Sequence, residues 1–391
     1  LKLLVIHEVN YIEKPLFEIH DFPEYLASKG WDVSFYQFPE GESPQSVSAL
    51  AEKPRTVRRT AFDGEIKLLT PRSLSGNLLG RLMESFISIW RIPKLIRDVA
   101  PDLILLYAVP TYGWQAVLGA ARYGVPVVYR ALDVASQIRR TPFSFLVRVA
   151  ERFVIRHANH VSANNSAMLE HCLSAGAREK RSSVEYPPVG LNLNSAPQDL
   201  AEALVSDLGS AKCITYMGSF FYFSGLRQVL TEFAKNPTPN VLLLLIGGGE
   251  QDRELRTLVK ELKLEGRVVF TGFVPRDVLH LYLKASTVLI NPMEVRGLSR
   301  VALPQKVIQY LATSNPVVST RLDGLEDAVG DFSNLYFEDS PEAVLQKALE
   351  LCRADDGSPM ASNLEKLEAR FGAGALEKFE SMLKRAAEVG S

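Results

Sequence analysis

Three glycines follow a run of valine and leucine in Ile246-Gly247-Gly248-Gly249-Glu250. Backbone without Cβ atoms at a strand's end lets a ligand approach closely, and its N–H groups can hold a phosphate at the start of the next helix. The run lacks the G-x-G-x-x-G spacing, so on its own a tight strand-to-helix turn accounts for it equally well. A second turn of the same kind, Met217-Gly218-Ser219, ends an earlier apolar run. Two such turns on one sheet edge carry more weight than either alone.

Cations gather nearby. In Asn291-Pro292-Met293-Glu294-Val295-Arg296-Gly297-Leu298-Ser299-Arg300-Val301-Ala302-Leu303-Pro304-Gln305-Lys306, Pro304 suits the first turn of a helix. That puts Lys306 in the same turn, with Arg296 and Arg300 in the loop before it. A cation beside helix N-terminal N–H groups opposes the macrodipole unless an anion lies between them. A pyrophosphate would remove the conflict, and a Lys306 pointing into solvent would avoid it. In the first half, Asp133 in Tyr129-Arg130-Ala131-Leu132-Asp133-Val134 follows a strand pattern, as do His7 and Glu8 after Val5-Ile6. Strand C-termini are where side chains face a cleft. Asp133 serves equally as an N-cap for the following helix, and a lone histidine such as His7 is more often structural.

The elements that must hold these residues come in a repeated rhythm. Strands are predicted over 3–6, 33–38, 103–107, 125–129 and 160–163. Helices are predicted over 16–28, closed by Lys29-Gly30, over 113–122, and after an opening at Asn164, Asn165 or Ser166. Glu185-Tyr186-Pro187-Pro188-Val189-Gly190 and 192–197 then break regular structure and read as a linker. The rhythm restarts with strands over 213–217, 241–246, 267–270, 288–290 and 316–319, and helices over 225–233, 252–262, 276–284 and 305–312. Charged helical stretches over 341–353 and 363–387 close the chain. Continuous Val/Ile/Leu strands divided by helices predict parallel sheets covered on both faces. The expectation is an α/β protein of two Rossmann-like domains, 1–190 and 191–370, facing each other across a cleft. A C-terminal helix over 371–391 could pack back on the first.

The bulk numbers narrow the function. With 44 Lys+Arg against 45 Asp+Glu the formal charge is −1, so no global field draws in nucleic acid. Cys172, Cys213 and Cys352 are odd in number and far apart, which suits reduced thiols in the cytoplasm. The opening Leu1-Lys2-Leu3-Leu4-Val5-Ile6-His7 is too short and too quickly polar for a signal peptide. No uncharged apolar run reaches about 18 residues, so no membrane span is expected. Two stretches are nonetheless basic and apolar together. In 143–157, Arg148, Arg152 and Arg156 recur beside Phe145, Val149 and Phe153; in 78–100, Arg81, Arg91, Lys94 and Arg97 surround Phe86, Ile87, Ile89 and Trp90. Such stripes bind anionic membrane surfaces. A core helix with a solvated basic edge reads the same way, and Glu151 interrupts the charge.

In these blocks the sequence resembles the GT-B glycosyltransferases, in particular the large retaining, nucleotide-sugar-dependent family (group 1, family 4-like). Lys29-Gly30-Trp31-Asp32-Val33 is similar to the family's "RGHxV"-type turn, and Tyr186-Pro187-Pro188-Val189-Gly190-Leu191-Asn192 to its "PNGVD" linker. His157-Ala158-Asn159-His160-Val161, Tyr216-Met217-Gly218-Ser219, Ile246-Gly247-Gly248-Gly249 and Val269-Phe270-Thr271-Gly272-Phe273-Val274-Pro275 follow in the family's order. The segment 304–319 is similar to "P-x-K-x-x-E-Y-x-A-x-G-x-P-V-V". The resemblance implies transfer of a sugar from a nucleotide-diphosphate donor to a glycan, lipid-linked or small-molecule acceptor. It implies Gly218, Ser219, Gly247 and Gly248 against the diphosphate, Phe273 and Val274 beside the base, and Lys306 on phosphate or sugar. The first half would take the acceptor, with His7, Asn10, Arg139 and Arg140 as candidates and Asp133 as base or orienter.

The departures from the family pattern matter as much. Gln309 stands where the family usually has a ribose-binding glutamate, and an amide accepts without charge. The partner glutamate falls at Val301, so Glu294 is the substitute expected from the longer loop. Phe220-Phe221-Tyr222-Phe223-Ser224 replaces the usual Arg and Lys after the first glycine turn, which leaves Arg296, Arg300 and Lys306 to neutralise the diphosphate. No D-x-D pair occurs, so neither a metal nor another cofactor is expected, and cations and backbone amides must stabilise the leaving group. The competing expectation is a homologue that binds nucleotide sugars without transferring them. An epimerase of the same shape lacks its His and Glu signatures here, and neither half opens with a dehydrogenase's G-x-G-x-x-G.

Overall fold

The computed structural model describes residues 1–14, 16–38, 54–71, 78–109, 111–134, 144–189, 211–354 and 363–388. The chain divides into two compact units, Leu1–Pro188 with Arg370–Ser391, and Val189–Ala369. Both are α/β, each built on a parallel sheet.

The first unit's strands are β1 (Lys2–Ile6), β2 (Asp32–Tyr36), β3 (Arg55–Val57), β4 (Ile66–Leu69), β5 (Leu103–Leu106), β6 (Val127–Ala131), β7 (His160–Ala163) and β8 (Ser182–Val184), in the order β3-β4-β2-β1-β5-β6-β7-β8. Every pairing is parallel except β3 with β4. The side chains of β5 and β6 are buried throughout, as a sheet covered on both faces requires. Helices α1 (Glu18–Ser28), α2 (Leu78–Val99), α3 (Gly113–Tyr123), α4 (Ser144–His157) and α5 (Ser166–Ala175) connect the strands. Asn165 opens α5 by accepting from Met168 N at 2.8 Å, and Gly30 closes α1 at φ +84°.

In the second unit β9 (Lys212–Ser219), β10 (Val241–Gly248), β11 (Val268–Gly272), β12 (Val288–Asn291), β13 (Val317–Thr320) and β14 (Leu335–Glu338) are all parallel, in the order β11-β10-β9-β12-β13-β14. The connecting helices are α6 (Leu226–Lys235), α7 (Asp252–Glu261), α8 (Arg276–Ala285), α9 (Gln305–Leu311), α10 (Asp323–Val329) and α11 (Pro341–Ala354). Helices α12 (Leu364–Phe371) and α13 (Ala373–Glu388) end the described chain. α13 packs in the first unit: Phe379 stacks on Phe22 at 3.7 Å, and Leu376, Met382 and Leu383 join Leu3, Val5 and Ile19 in one core.

Several elements escape periodicity. β3 and β14 are short and partly exposed, so they carry no continuous apolar run, and β8 and α10 are likewise absent from the sequence pattern. Two strands outrun their prediction. β9 and β10 continue through the glycines in parallel register, Gly218 opposite Gly247 and Ser219 opposite Gly248. The glycine "turns" are therefore strand ends. Pro304 lies just before α9, which begins at Gln305.

Candidate functional site

In each sheet the first strand has later strands on both sides. β1 lies between β2 and β5, and β9 between β10 and β12. At such a switch point the connections leave in opposite directions and open a crevice beyond the strand C-termini. Gly218 is the next-to-last residue of β9 and His7 follows β1, so both stand at these crevices.

The second unit's crevice is built by close backbone approach. Gly247 has φ +121°, and a Cβ there would lie 2.2 Å from Gly218 O; Gly249 has φ +156°, and its Cβ would meet Phe220 N at 2.8 Å. No side chain fits either position without moving backbone. Phe220 N donates to Gly248 O at 2.9 Å and Gln251 N to Phe220 O at 3.0 Å, which locks the two strand exits together. Phe273 follows β11 with 78% of its surface exposed. Its ring covers Gly248, whose Cβ would meet Cε2 at 3.2 Å. Val274 beside it is half-buried.

Lys306 completes this edge. A Cβ on Gly218 would lie 3.3 Å from Lys306 Nζ. The ammonium sits 4.0 Å from the centroid of the Tyr216 ring. Among the described residues no carboxylate pairs with it. The lysine keeps some solvent exposure, yet burial of its ammonium pushes the pKa down from 10.5 to about 7. Desolvation is the cause, not the dipole invoked from the sequence. Tyr310, one helical turn on and fully buried, accepts from Met217 N at 2.7 Å. It pins α9 to β9 one residue before Gly218, and so holds Lys306 in place. Tyr216 donates to Ser219 O at 2.9 Å and steadies the strand exit.

The remaining second-unit candidates divide. Glu294 is buried, accepts from Gln228 Nε2 at 2.5 Å and pairs with Arg296. Its N–H donates to Phe223 O at 2.8 Å, joining the loops that follow β12 and β9. Arg300 pairs with Asp323 at 3.2 Å, and both arginines remain more than half exposed. Gln309 is half-buried on α9. The structure thus gathers Gly218, Ser219, Gly247, Gly248, Phe273 and Lys306 at one edge, while Arg296 and Arg300 already hold carboxylate partners.

In the first unit Asp133 lies two residues past β6, with Asn164 Nδ2 donating to Leu132 O at 3.0 Å behind it. Its side chain is open to solvent on one side, while surrounding protein and then the Glu18 carboxylate push its pKa up. His7 stacks on Tyr107 at 5.0 Å, and its Nδ1 accepts from Glu8 N at 2.8 Å. Burial first, then the charges of Lys14 and His20, lower its pKa to about 3. His7 is therefore a neutral ring that offers Nε2–H, and a weak base. Strands β1 and β6 are separated by β5, so His7 and Asp133 sit on the order of 10 Å apart along one edge.

Two expected ligand contacts are used internally. Glu8 accepts from Thr111 N at 2.6 Å, Thr111 Oγ1 at 3.0 Å and Tyr112 N at 3.1 Å. Asn10 Oδ1 accepts from Ile12 N at 3.0 Å and Glu13 N at 3.3 Å and so shapes its own loop. Arg139 and Arg140 lie outside the described residues.

Sequence reasoning missed the residues that do the positioning. Arg130 is fully buried and grips Glu18 with Nε–Oε1 at 2.9 Å and Nη2–Oε2 at 2.7 Å, while Nη1 donates to Ser162 Oγ, Ala163 O and Glu185 O. It ties three strands together beneath Asp133. Tyr216 was legible as the residue two before Gly218 on the same strand face, and Tyr310 as the residue four after Lys306.

Comparison with known proteins follows the same division. Residues 19–186 match the glycosyl transferase 4-like domain and residues 211–354 the domain of glycosyl transferases group 1. The chain is 25% identical over 244 residues to a 2-deoxystreptamine N-acetyl-D-glucosaminyltransferase of Streptomyces fradiae, covering 60% of this chain and 57% of that protein. It is also 25% identical over 301 residues to a 2-deoxystreptamine glucosyltransferase of Streptomyces kanamyceticus, covering 69% and 73%. The structure of Anabaena Alr3699/HepE in complex with UDP superposes with a TM-score of 0.73 at 18% identity, over 98% of this chain and 100% of that one.

Proposed function

The chain belongs to the GT-B glycosyltransferases, and from that premise we propose that it moves a sugar from a nucleotide-diphosphate donor to a glycan, lipid-linked or small-molecule acceptor. The observation that carries the donor half is Lys306: a desolvated ammonium with no carboxylate partner among the described residues, set beside the Cβ-free end of β9 at Gly218, which in turn packs against Gly247. Such a group lacks a counter-ion, and a diphosphate supplies one. Complexes of the Anabaena neighbour with UDP and with UDP-glucose favour a uridine donor. Phe273 and Val274 then border the base, Gly218, Ser219, Gly247 and Gly248 the diphosphate, and Gln309 and Glu294 the ribose and sugar.

Transfer proceeds, in this reading, without a metal and with retention. As the bond from the anomeric carbon to the diphosphate oxygen lengthens, negative charge collects on that oxygen. Lys306 is placed to stabilise it more strongly there than in the ground state. The departing phosphate accepts the proton of the attacking hydroxyl on the same face. In the first unit, Asp133 and the neutral His7 on one sheet edge are the groups offered to an acceptor hydroxyl. Three buried free cysteines suit a reducing, cytoplasmic setting. Among the described residues no helix is long and apolar enough to cross a membrane.

Thermal-shift measurement with UDP-, GDP- and ADP-sugars tests the reading, because a ligand that binds only the native state raises its melting temperature. A rise with one nucleotide class is expected. No rise with any of them at millimolar concentration would refute it, and a rise without turnover in any acceptor would assign binding alone.

A further inference from the structure

We propose that the outer face of α2, α3 and α4 is a docking surface for an anionic lipid bilayer. On α2, Met83, Phe86 and Trp90 are exposed, Phe86 by 67% and Trp90 by 73%. Lys94 and Arg97 continue the same helical stripe. On α4, Phe145 is 70% exposed and Leu146 and Val149 about half, and Arg148, Arg152 and Arg156 follow on that face. α3 packs between the two, with Leu118 and Arg122 exposed. The three helices thus present one continuous surface rather than scattered residues.

Charge decides the occupant. The acidic residues of these helices are Glu84, Glu151 and Asp98. Glu84 is fully buried, its carboxylate held by Arg91, and Glu151 is buried as well. Only Asp98 reaches solvent, where it pairs with its neighbour Arg97. The glutamate that interrupts the basic run in the sequence therefore turns inward. Lys94, Arg97, Arg122, Arg148, Arg152 and Arg156 are left facing outward around large apolar side chains. Rings and aliphatic chains flanked by cations, of which, among the described residues, only Arg97 has a carboxylate partner on these helices, match acyl chains beneath anionic headgroups.

Topology fixes the orientation. β4, β5, β6 and β7 run parallel, so the helices between them run back and start near the strand C-termini. The apolar half of α2 and of α4 is the N-terminal half. It lies toward the edge that carries His7 and Asp133, and the cations lie further back. An acceptor held in the bilayer would be presented at that edge. The docking itself does not depend on transfer chemistry.

The test is sedimentation of the full chain with vesicles of equal parts phosphatidylcholine and phosphatidylglycerol, against vesicles of phosphatidylcholine alone. We expect binding to the anionic vesicles, weakened by salt, with a blue shift of tryptophan emission that the Trp90→Phe variant diminishes; of the other two tryptophans, Trp31 is buried and Trp114 is half-buried on α3. Phe86→Ser with Trp90→Ser should reduce vesicle affinity by at least about tenfold. Lys94→Glu with Arg148→Glu and Arg152→Glu should remove the preference for anionic lipid. All five side chains are exposed, and an unchanged melting temperature confirms that each variant folds. Absence of pelleting and of the blue shift in the wild type would overturn the proposal without reference to any variant. So would a dimer in sedimentation equilibrium that the Phe86→Ser, Trp90→Ser variant dissolves, since a second copy would then cover the face.

Discussion

Lys306→Met separates donor binding from stability. The free ammonium has a pKa of about 7 where an unperturbed lysine has 10.5. Diphosphate contact restores the ordinary preference for the charged form, so binding above pH 7 takes up a proton. A sugar nucleotide carries both phosphates as diesters and does not titrate in this range, so the change belongs to the protein. The donor dissociation constant should be flat below pH 7 and should weaken by about tenfold per pH unit above it. Calorimetry in buffers of different ionisation enthalpy reads the proton directly, with about half a proton taken up at pH 7 and nearly one at pH 8.5. Methionine fills the same apolar site beside Tyr216 without charge. It should weaken donor binding by about 10–100-fold at pH 6 and abolish the pH dependence. The same substitution should stabilise the protein. A drop from 10.5 to about 7 is a cost of several kcal/mol, reduced to about 1–3 kcal/mol because the side chain keeps some exposure to screening solvent. The native state binds fewer protons than the unfolded chain between those values, so wild-type stability rises with pH across that window. Equal donor affinity at pH 6 and pH 8.5 without proton uptake would refute the reasoning.

Three further outcomes follow from named contacts. Gly247→Ala places a Cβ 2.2 Å from Gly218 O at φ +121°, so it should cost about 2–4 kcal/mol in denaturant unfolding and remove the donor-induced thermal shift. Arg130→Met strands the buried Glu18 carboxylate and should destabilise by about 3–5 kcal/mol, with Arg130→Lys a poor rescue because it cannot reproduce the two-point grip. Asp133→Asn should lower transfer by at least about 100-fold while leaving donor affinity within about twofold, read by initial rates beside calorimetry.

The sequence reads well where apolar runs are continuous. β1, β5, β6, β10 and β12 are buried on both faces, and their Val/Ile/Leu runs locate them within a residue or two. Edge strands β3 and β14 are half solvated and leave no such trace. The glycines and Lys306 were legible as types suited to phosphate, but their convergence was not, because it depends on the parallel register of Gly218 with Gly247 and on the Tyr310 hydroxyl. Partner choice was hidden as well. Arg296 and Arg300 look like Lys306 in the sequence, and only folding sets each arginine beside a carboxylate. Glu151 broke the basic stripe on paper and turns into the core in space.

Where the donor's phosphates lie decides the role of Lys306, and a crystal grown with a UDP-sugar measures that position. It should show the diphosphate over Gly218 and Gly247 with an oxygen within hydrogen-bond distance of Lys306 Nζ. A nucleotide whose phosphates sit away from that lysine, with Nζ still resting on the Tyr216 ring, would contradict it.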